Sequence, residues 1–184
     1  VSYRNGLFTH ATTSGCASGT TWDEALARAT LELVERDAFM RHWLLQRPGV
    51  TVDPASLPGW ARDRRALLMA RGCDVSVQCL TLGAHPVWLV TAQHTGKCFS
   101  TVGTACGFDA DNVLNVAWQE METIALARLA GVPPTLMTPE LVNTPADHSA
   151  LYATTENFRS ADTVILGHGT SRPNDELASN FASV

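Results

Sequence analysis

The feature that most constrains the fold is a run of helix-forming residues from Thr21 to Leu45 that contains neither proline nor glycine. Thr21, with Glu24 three residues later, forms a capping-box pattern that marks the start of a helix. At roughly 100° per residue, apolar side chains form one ridge along this helix and charged side chains form one edge. The ridge comprises Ala27, Leu31, Val34 and Ala38, and the edge comprises Glu24, Arg28, Glu32, Glu35 and Arg36. The pattern predicts one long amphipathic helix.

The charged edge of this helix has two interpretations. Its spacing allows the i,i+4 ion pairs Glu24–Arg28, Arg28–Glu32 and Glu32–Arg36, each contributing a few tenths of a kcal/mol to a solvated ladder. Alternatively, Glu32 and Glu35 are neighbours on the helix surface, and two carboxylates about 4 Å apart near a protein surface repel by about 4 kcal/mol. A bound divalent cation would relieve that repulsion, as would the nearby arginines. The spacing alone leaves both interpretations open.

A second helix is predicted from about Asn112 to Ala130, with Asp109 or Asp111 as its N-cap and Gly131 just beyond its end. One stripe along this helix comprises Val113, Ala117, Glu120, Ile124 and Ala127. Glu120 is therefore predicted to lie in an otherwise apolar row, where a carboxylate needs a partner.

Glu120 can find that partner in two ways. It can be paired within the core, or it can meet Glu32 and Glu35 around Mg²⁺, a hard cation that prefers oxygen ligands. By contrast, Glu122 shares a row with Asn115 and is expected to be solvated.

Small-residue segments precede both helices, at residues 12–19 and 103–107. The N-terminus of a helix that follows such a segment can bind an anion, because its backbone N–H groups and its dipole point outward. Neither segment has the Gly-Lys-Ser/Thr ending of a P-loop. The sequence therefore predicts two similar loop-to-helix units and argues against a P-loop enzyme.

The chain between and after these helices predicts further elements. Residues 57–71 have helical composition, and residues 75–80, 87–92 and 98–102 have the β-branched and aromatic character of strands. The connections between these strands are too short for crossover helices, so neighbouring strands are expected to be antiparallel. Residues 162–166 are predicted to form one more strand.

Composition narrows the classes of function. The net charge of −5 argues against nucleic-acid or anionic-membrane partners. No apolar run approaches the roughly 20 residues of a transmembrane helix, and residues 1–10 lack a signal-peptide core, so we expect a cytoplasmic protein. The five cysteines form no CxxC pair and their odd number favours reduced thiols, while the six histidines lack metal-ligand spacing.

Three stretches resemble the YcaO-type ATP-dependent enzymes that modify peptide backbones. The first is Ser14-Gly15-Cys16-Ala17-Ser18-Gly19 with Glu32-Leu33-Val34-Glu35-Arg36; the second is Gly103-Thr104-Ala105-Cys106-Gly107 with Ala117-Trp118-Gln119-Glu120; the third is Asp147-His148-Ser149-Ala150-Leu151-Tyr152. The third is similar to a segment of the azole-forming members called D-proteins. The chain is thus identified as a partial YcaO-type cyclodehydratase.

The resemblance implies a reaction. A Cys, Ser or Thr side chain of a peptide attacks the preceding carbonyl carbon, ATP phosphorylates the amide oxygen, and loss of phosphate leaves a thiazoline or oxazoline. It also implies ATP contacts for Ser14, Gly15 and Arg36, and Mg²⁺ ligation by Glu32, Glu35 and Glu120. The implied partners are a precursor peptide, of the kind matured into bacteriocin-like products, and a leader-binding protein. A homodimer is also allowed.

We expect residues 1–184 to form a single, incomplete YcaO-like domain of the α/β class, α+β type, with helices on a largely antiparallel mixed sheet. The upstream part of the family's domain and its proline-rich tail are expected to be missing. Thr123 and Ala125 stand where family members carry Gln and Arg. Two alternatives stay open, namely a thioamide-forming YcaO enzyme and a non-catalytic scaffold or leader-binding module.

Overall fold

The computed structural model describes residues 13–81, 85–131, 137–143, 147, 150–153, 157–167 and 171–179. Within these ranges, no helix is long and apolar enough to cross a membrane.

Helix α1 (Trp22–Leu45) has the bounds that the sequence predicts. The Thr21 hydroxyl accepts a hydrogen bond of 3.2 Å from the Glu24 N–H, as an N-cap should. The Glu24 carboxylate reaches back to Thr20, accepting 2.7 Å bonds from both its N–H and its hydroxyl. The helix ends at Gln46, whose φ of 51° turns the chain into a left-handed conformation. The capping residues therefore fix where this helix begins.

Four strands form one sheet: β1 (Val50–Thr51), β2 (Asp74–Cys79), β3 (Val87–His94) and β4 (Phe99–Cys106). Their order is β1-β2-β3-β4 and every pair is antiparallel, which confirms the predicted hairpins. A parallel contact joins Val52 and Arg172 as an isolated bridge. The fold class expected from the sequence is confirmed.

Further helices in the described ranges include α2 (Gly59–Met69), α3 (Ala110–Ala130), α4 (Asp162–Ile165) and α5 (Asn174–Ala178). One face of the sheet packs on α2 and α3 and forms the apolar core. Its buried side chains include Leu68, Val77, Trp88, Val90, Ala105, Leu114, Trp118 and Met121. The other face of the sheet carries α1 and α4, so the sheet lies between α1 and α3.

Residues 162–166 form helix α4 and a turn, so the prediction of a strand there was wrong. Side chains beneath this segment bind its backbone carbonyls. The Gln78 amide donates to the carbonyls of Val164 and Ile165 at 3.1 Å, and the Thr91 hydroxyl donates to that of Ile165 at 2.7 Å. His42 Nε2, at the end of α1, lies 3.0 Å from the Val164 carbonyl oxygen. These polar partners satisfy carbonyls that a strand would have paired with another strand.

Strand β4 continues to Cys106, so residues 103–106 are not the loop that the sequence predicted. Gly103 allows α3 to lie directly on this strand. A Cβ at Gly103 would lie 2.1 Å from the Ala117 carbonyl oxygen and 2.6 Å from the Met121 nitrogen. A glycine is therefore required where β4 passes under α3.

The N-cap of α3 is Asp109, which accepts a 2.8 Å bond from the Asn112 N–H. The buried face of α3 is rotated from the predicted stripe and comprises Val113, Leu114, Ala117, Trp118, Met121 and Ala125. Glu120, Ile124 and Ala127 are exposed, so the predicted burial of Glu120 in an apolar row was wrong. Glu122 is not simply solvated either, because it forms a 3.2 Å ion pair with Arg64 and its side chain is only 16% exposed.

Candidate functional site

Thr104 links two carboxylates that come from different helices. Its hydroxyl donates a 2.5 Å hydrogen bond to Oε1 of Glu35 on α1. Its backbone N–H donates a 3.0 Å bond to Oε2 of Glu120 on α3. Because α1 and α3 lie on opposite faces of the sheet, the two carboxylates meet at the outer edge of β4. This junction is the centre of the candidate site.

The ionised form of Glu35 is destabilised at this junction. Burial is the main cause of the rise of its carboxyl pKa above the ordinary value, and the negative charges of Glu120 and Glu32 raise it further. The Thr104 hydrogen bond and the positive charge of Arg36 act in the opposite direction. The structure therefore places Glu32 and Glu120 close enough to Glu35 for their charges to act on it, as like charges that share a site do.

Two of the three ion pairs of the predicted ladder are present on α1. Arg28 pairs with Glu24 at 2.5 Å, and Arg36 Nε lies 4.0 Å from Glu32 Oε1. Pairs of this exposure contribute little to stability. The ladder and the carboxylate junction are therefore not exclusive, since Glu35 points to β4 while Glu32 and Arg36 stay partly exposed beside it.

The loop before α1 folds back over the helix. Gly15 has a φ of 80°, and a Cβ there would lie 3.1 Å from the side chain of Leu33. Gly19 also has no room for a side chain, because a Cβ there would lie 2.6 Å from the Ala25 nitrogen. Arg28 donates a 3.3 Å bond to the Ser18 carbonyl and ties the loop to α1. Gly15 thus lies against Leu33 of α1, the residue that follows Glu32 in the sequence.

The donor chemistry of the junction fits a hard cation. Magnesium is commonly held by one or two carboxylates together with phosphate oxygens and water, and Glu35 and Glu120 supply two such carboxylates. Among the described residues, however, no three His, Cys, Asp or Glu side chains are grouped closely enough to hold a metal ion. Magnesium ligation by Glu32, Glu35 and Glu120 stays a prediction, as do the nucleotide contacts of Ser14, Gly15 and Arg36.

Sequence reasoning assigned no role to Thr104, although it lies in one of the stretches that carry the family resemblance. Reading residues 99–106 as a strand would have placed Thr104 on the face opposite Gly103, toward α1. Cys106 follows on the same face, and burial together with the Glu35 charge raises its pKa to about 11. Its thiol therefore stays protonated at neutral pH.

A family model matches residues 1–183, and its family is described as YcaO cyclodehydratases that bind ATP and Mg²⁺. The chain belongs to the YcaO family. A comparison with curated proteins gave no match. Of the third stretch that resembles azole-forming YcaO proteins, residues 148 and 149 lie outside the described residues; Asp147 accepts a 3.1 Å bond from the Asn143 N–H.

Solved structures share the fold of this YcaO chain. The heterocyclase TruD matches with a TM-score of 0.64 and 20% identity over 92% of this chain and 23% of its own. A heterocyclase in complex with substrate and cofactor matches with a TM-score of 0.68 and 17% identity over 98% of this chain and 25% of its own. The E. coli microcin synthetase McbBCD complex with pro-MccB17 bound matches with a TM-score of 0.68 and 14% identity over 90% of this chain and 44% of the matched chain. The chain therefore spans about a quarter of the length of the first two.

Proposed function

We propose that this chain carries the ATP- and Mg²⁺-dependent step that converts Cys, Ser or Thr residues of a ribosomally made peptide into thiazolines or oxazolines. The observation that carries the proposal is the meeting of Glu35 and Glu120 at Thr104 in a chain of the YcaO family. The proposed partners are a precursor peptide, a leader-binding protein and, in a homodimer, a second copy of the chain.

The charges of the junction support this chemistry. Burial is the main cause of the raised pKa of Glu35, and the charges of Glu120 and Glu32 raise it further, so a cation at this position would relieve repulsion that already exists. We assign Glu32, Glu35 and Glu120 to hold Mg²⁺. Bound ATP would supply the phosphoryl group that turns the amide oxygen into a leaving group, with Mg²⁺ offsetting phosphate charge.

The remaining roles belong to groups around the junction. Thr104 orients both carboxylates, since its hydroxyl holds Glu35 and its N–H holds Glu120. The loop at Ser14 and Gly15 offers backbone groups to a nucleotide, and Arg36 adds positive charge beside it. Arg36 is half-exposed, which leaves its guanidinium able to turn toward an anionic ligand.

The test is intact-mass analysis of a candidate precursor peptide incubated with the protein, its leader-binding partner, Mg²⁺ and ATP. The proposal expects a loss of water from the peptide that is matched by release of phosphate, and both should stop in E35Q. Exchange of oxygen for sulfur with added sulfide would instead show thioamide formation. The absence of any ATP-dependent mass change would favour a non-catalytic scaffold or leader-binding module.

A further inference from the structure

Helix α1 carries an exposed apolar stripe on the side that faces away from the sheet. Five side chains form this stripe, and their exposed fractions range from 46% to 80%. At about 100° per residue all five lie within a sector of about 40°, while the buried residues Ala38 and His42 lie on the opposite side of the helix. The stripe comprises Trp22, Leu26, Leu33, Met40 and Leu44. Contiguous exposed apolar surfaces mark sites of interaction, whereas single exposed apolar residues do not.

The positions of the stripe are symmetric about Leu33. Leu26 and Met40 lie seven residues before and after it, and Trp22 and Leu44 lie eleven residues before and after it. Two copies of α1 that run antiparallel around a two-fold axis at Leu33 therefore place every one of these side chains against another apolar side chain. A two-fold interface requires such self-complementarity, because residue i of one copy meets residue j of the other and j meets i.

The charges along one flank of the stripe fit the same arrangement. Asp23 and Arg41 lie at the same angle around the helix, and both are exposed. Asp23 lies ten residues before Leu33 and Arg41 lies eight residues after it, so in the antiparallel pair the two are offset by only about 3 Å along the axis. Each Arg41 then faces the partner's Asp23. A parallel pair would instead bring Asp23 against the partner's Asp23.

We infer that two copies of this chain associate through the stripe on α1, as an antiparallel helix pair centred on Leu33. This inference rests on the homodimer in the proposed function and names its surface. Gly15 of the preceding loop lies against Leu33 but leaves 52% of it exposed, so the centre of the stripe stays open.

The size of the stripe sets the expected strength of this dimer. The stripe is about 33 Å long and about 10 Å wide, the width of one helix. It is therefore smaller than the roughly 800 Å² that each partner buries in a standard interface. We expect a reversible dimer that dissociates at about micromolar concentrations.

Sedimentation velocity of this chain from about 1 to 100 μM tests the inference. We expect a monomer–dimer equilibrium, and L26E should raise its Kd about tenfold or more because it places a carboxylate against the partner's Met40. The matched control is L67E, since Leu67 on α2 is 56% exposed and Leu26 is 55% exposed. L67E should leave the Kd within about twofold. A monomer at every concentration would overturn the inference and assign the stripe to a different partner, and equal effects of L26E and L67E would overturn it too.

A charge exchange tests the antiparallel direction without changing the apolar stripe. D23R and R41D should each raise the Kd about three- to tenfold, because each places like charges together at both ends of the pair. The double variant D23R/R41D should recover a Kd within about threefold of the wild type. Asp23 and Arg41 of one copy are about 27 Å apart along α1, so only contact between copies explains such recovery. A double variant as weak as the single variants would overturn the antiparallel pair.

These outcomes are distinct from those of the proposed reaction. A dimer that is lost in L26E, from a protein with no ATP-dependent loss of water from a precursor peptide, would support the surface and contradict the cyclodehydration. Loss of water by a protein that stays monomeric at every concentration would support the reaction and contradict the surface.

Discussion

The hydroxyl of Thr104 donates a 2.5 Å hydrogen bond to Glu35, a residue 69 positions earlier in the chain. The bond joins the centre of the edge strand to the middle of the longest helix. It lowers the pKa of a carboxyl group that burial and neighbouring charges raise. Thr104 therefore keeps Glu35 closer to the ionised form that can bind a cation.

Replacement of Thr104 by valine should weaken the response to Mg²⁺. T104V keeps the shape and the strand preference of the side chain but removes the donor to Glu35. Loss of a group that orients a metal ligand commonly costs about 10- to 100-fold in metal affinity or activity. We expect the Mg²⁺ concentration for half-maximal ATP hydrolysis to rise by about that range. T104S keeps the hydroxyl and should stay near wild type; equal behaviour of both variants would contradict the positioning role.

The raised pKa of Glu35 predicts a characteristic dependence of stability on pH. Below the ordinary value of 4.5 the carboxyl is protonated in both states and carries no penalty. As the pH rises through the raised pKa of the folded state, the free energy of unfolding of the wild type should fall relative to that of E35Q. Urea unfolding at a series of pH values, with a chelator present to remove cations, measures this difference.

Glu24 supplies a control of opposite sign. Hydrogen bonds from Thr20 lower its pKa, so its contribution is present above the ordinary value and is lost as the pH falls through the lowered pKa. The wild type should therefore gain stability relative to E24Q as the pH rises. The free energy of unfolding of the wild type should not fall with pH relative to that of E24Q, nor rise with pH relative to that of E35Q. Either result would contradict the electrostatics of the site.

We expect Arg36 to contribute to ATP binding and Arg41 not to contribute. R36Q removes a positive charge beside Glu32 and Glu35, and a charged hydrogen bond is worth about 1.5–3 kcal/mol. We expect the KM for ATP to rise about tenfold or more. Arg41 lies on the same helix, pairs with Asp37 at 3.4 Å and is exposed, so R41Q should leave that KM unchanged. Equal effects of the two changes would indicate bulk charge rather than a site.

Capping and alternation patterns predicted much of this fold, because they depend on local chemistry. The bounds of α1, the Asp109 cap and the antiparallel strands follow from hydrogen bonds and side-chain directions within a few residues. The prediction from sequence was wrong where residues that are far apart in the chain determine the local structure. Residues 162–166 were predicted to form a strand because the amides and hydroxyls that bind their carbonyls lie far away in the sequence, on β2 and β3.

The site was predictable to a similar extent. Spacing on one helix indicated that Glu32 and Glu35 are neighbours. The need of Glu120 for a partner suggested that it meets them, and the family resemblance implied the same set. Periodicity alone misplaced Glu120 in the core, because it gives the residues that share a row but not the angle at which α3 meets the sheet. The role of Thr104 depends on β4 extending to Cys106, beyond the predicted end of that strand.

Gly103 should be intolerant of any side chain. G103A would drive a Cβ into backbone atoms of Ala117 and Met121, which cannot rotate away. We expect the free energy of unfolding to fall by about 3 kcal/mol. At Gly59 a Cβ would meet nothing closer than Arg62 Nη2 at 4.0 Å, so G59A should be neutral or stabilising by at most about 1 kcal/mol. Urea titration of both variants tests this, and a stable G103A would contradict the close contact of β4 with α3.

We propose above that the chain activates a backbone amide by phosphorylating its oxygen. The most direct test uses a precursor peptide whose carbonyl oxygen before the modified residue carries a heavy isotope, incubated with the protein, its leader-binding partner, Mg²⁺ and ATP. If ATP phosphorylates the amide oxygen, the heavy oxygen appears in the released phosphate in proportion to the water lost from the peptide. Release of unlabelled phosphate while the peptide loses water as labelled water would contradict it.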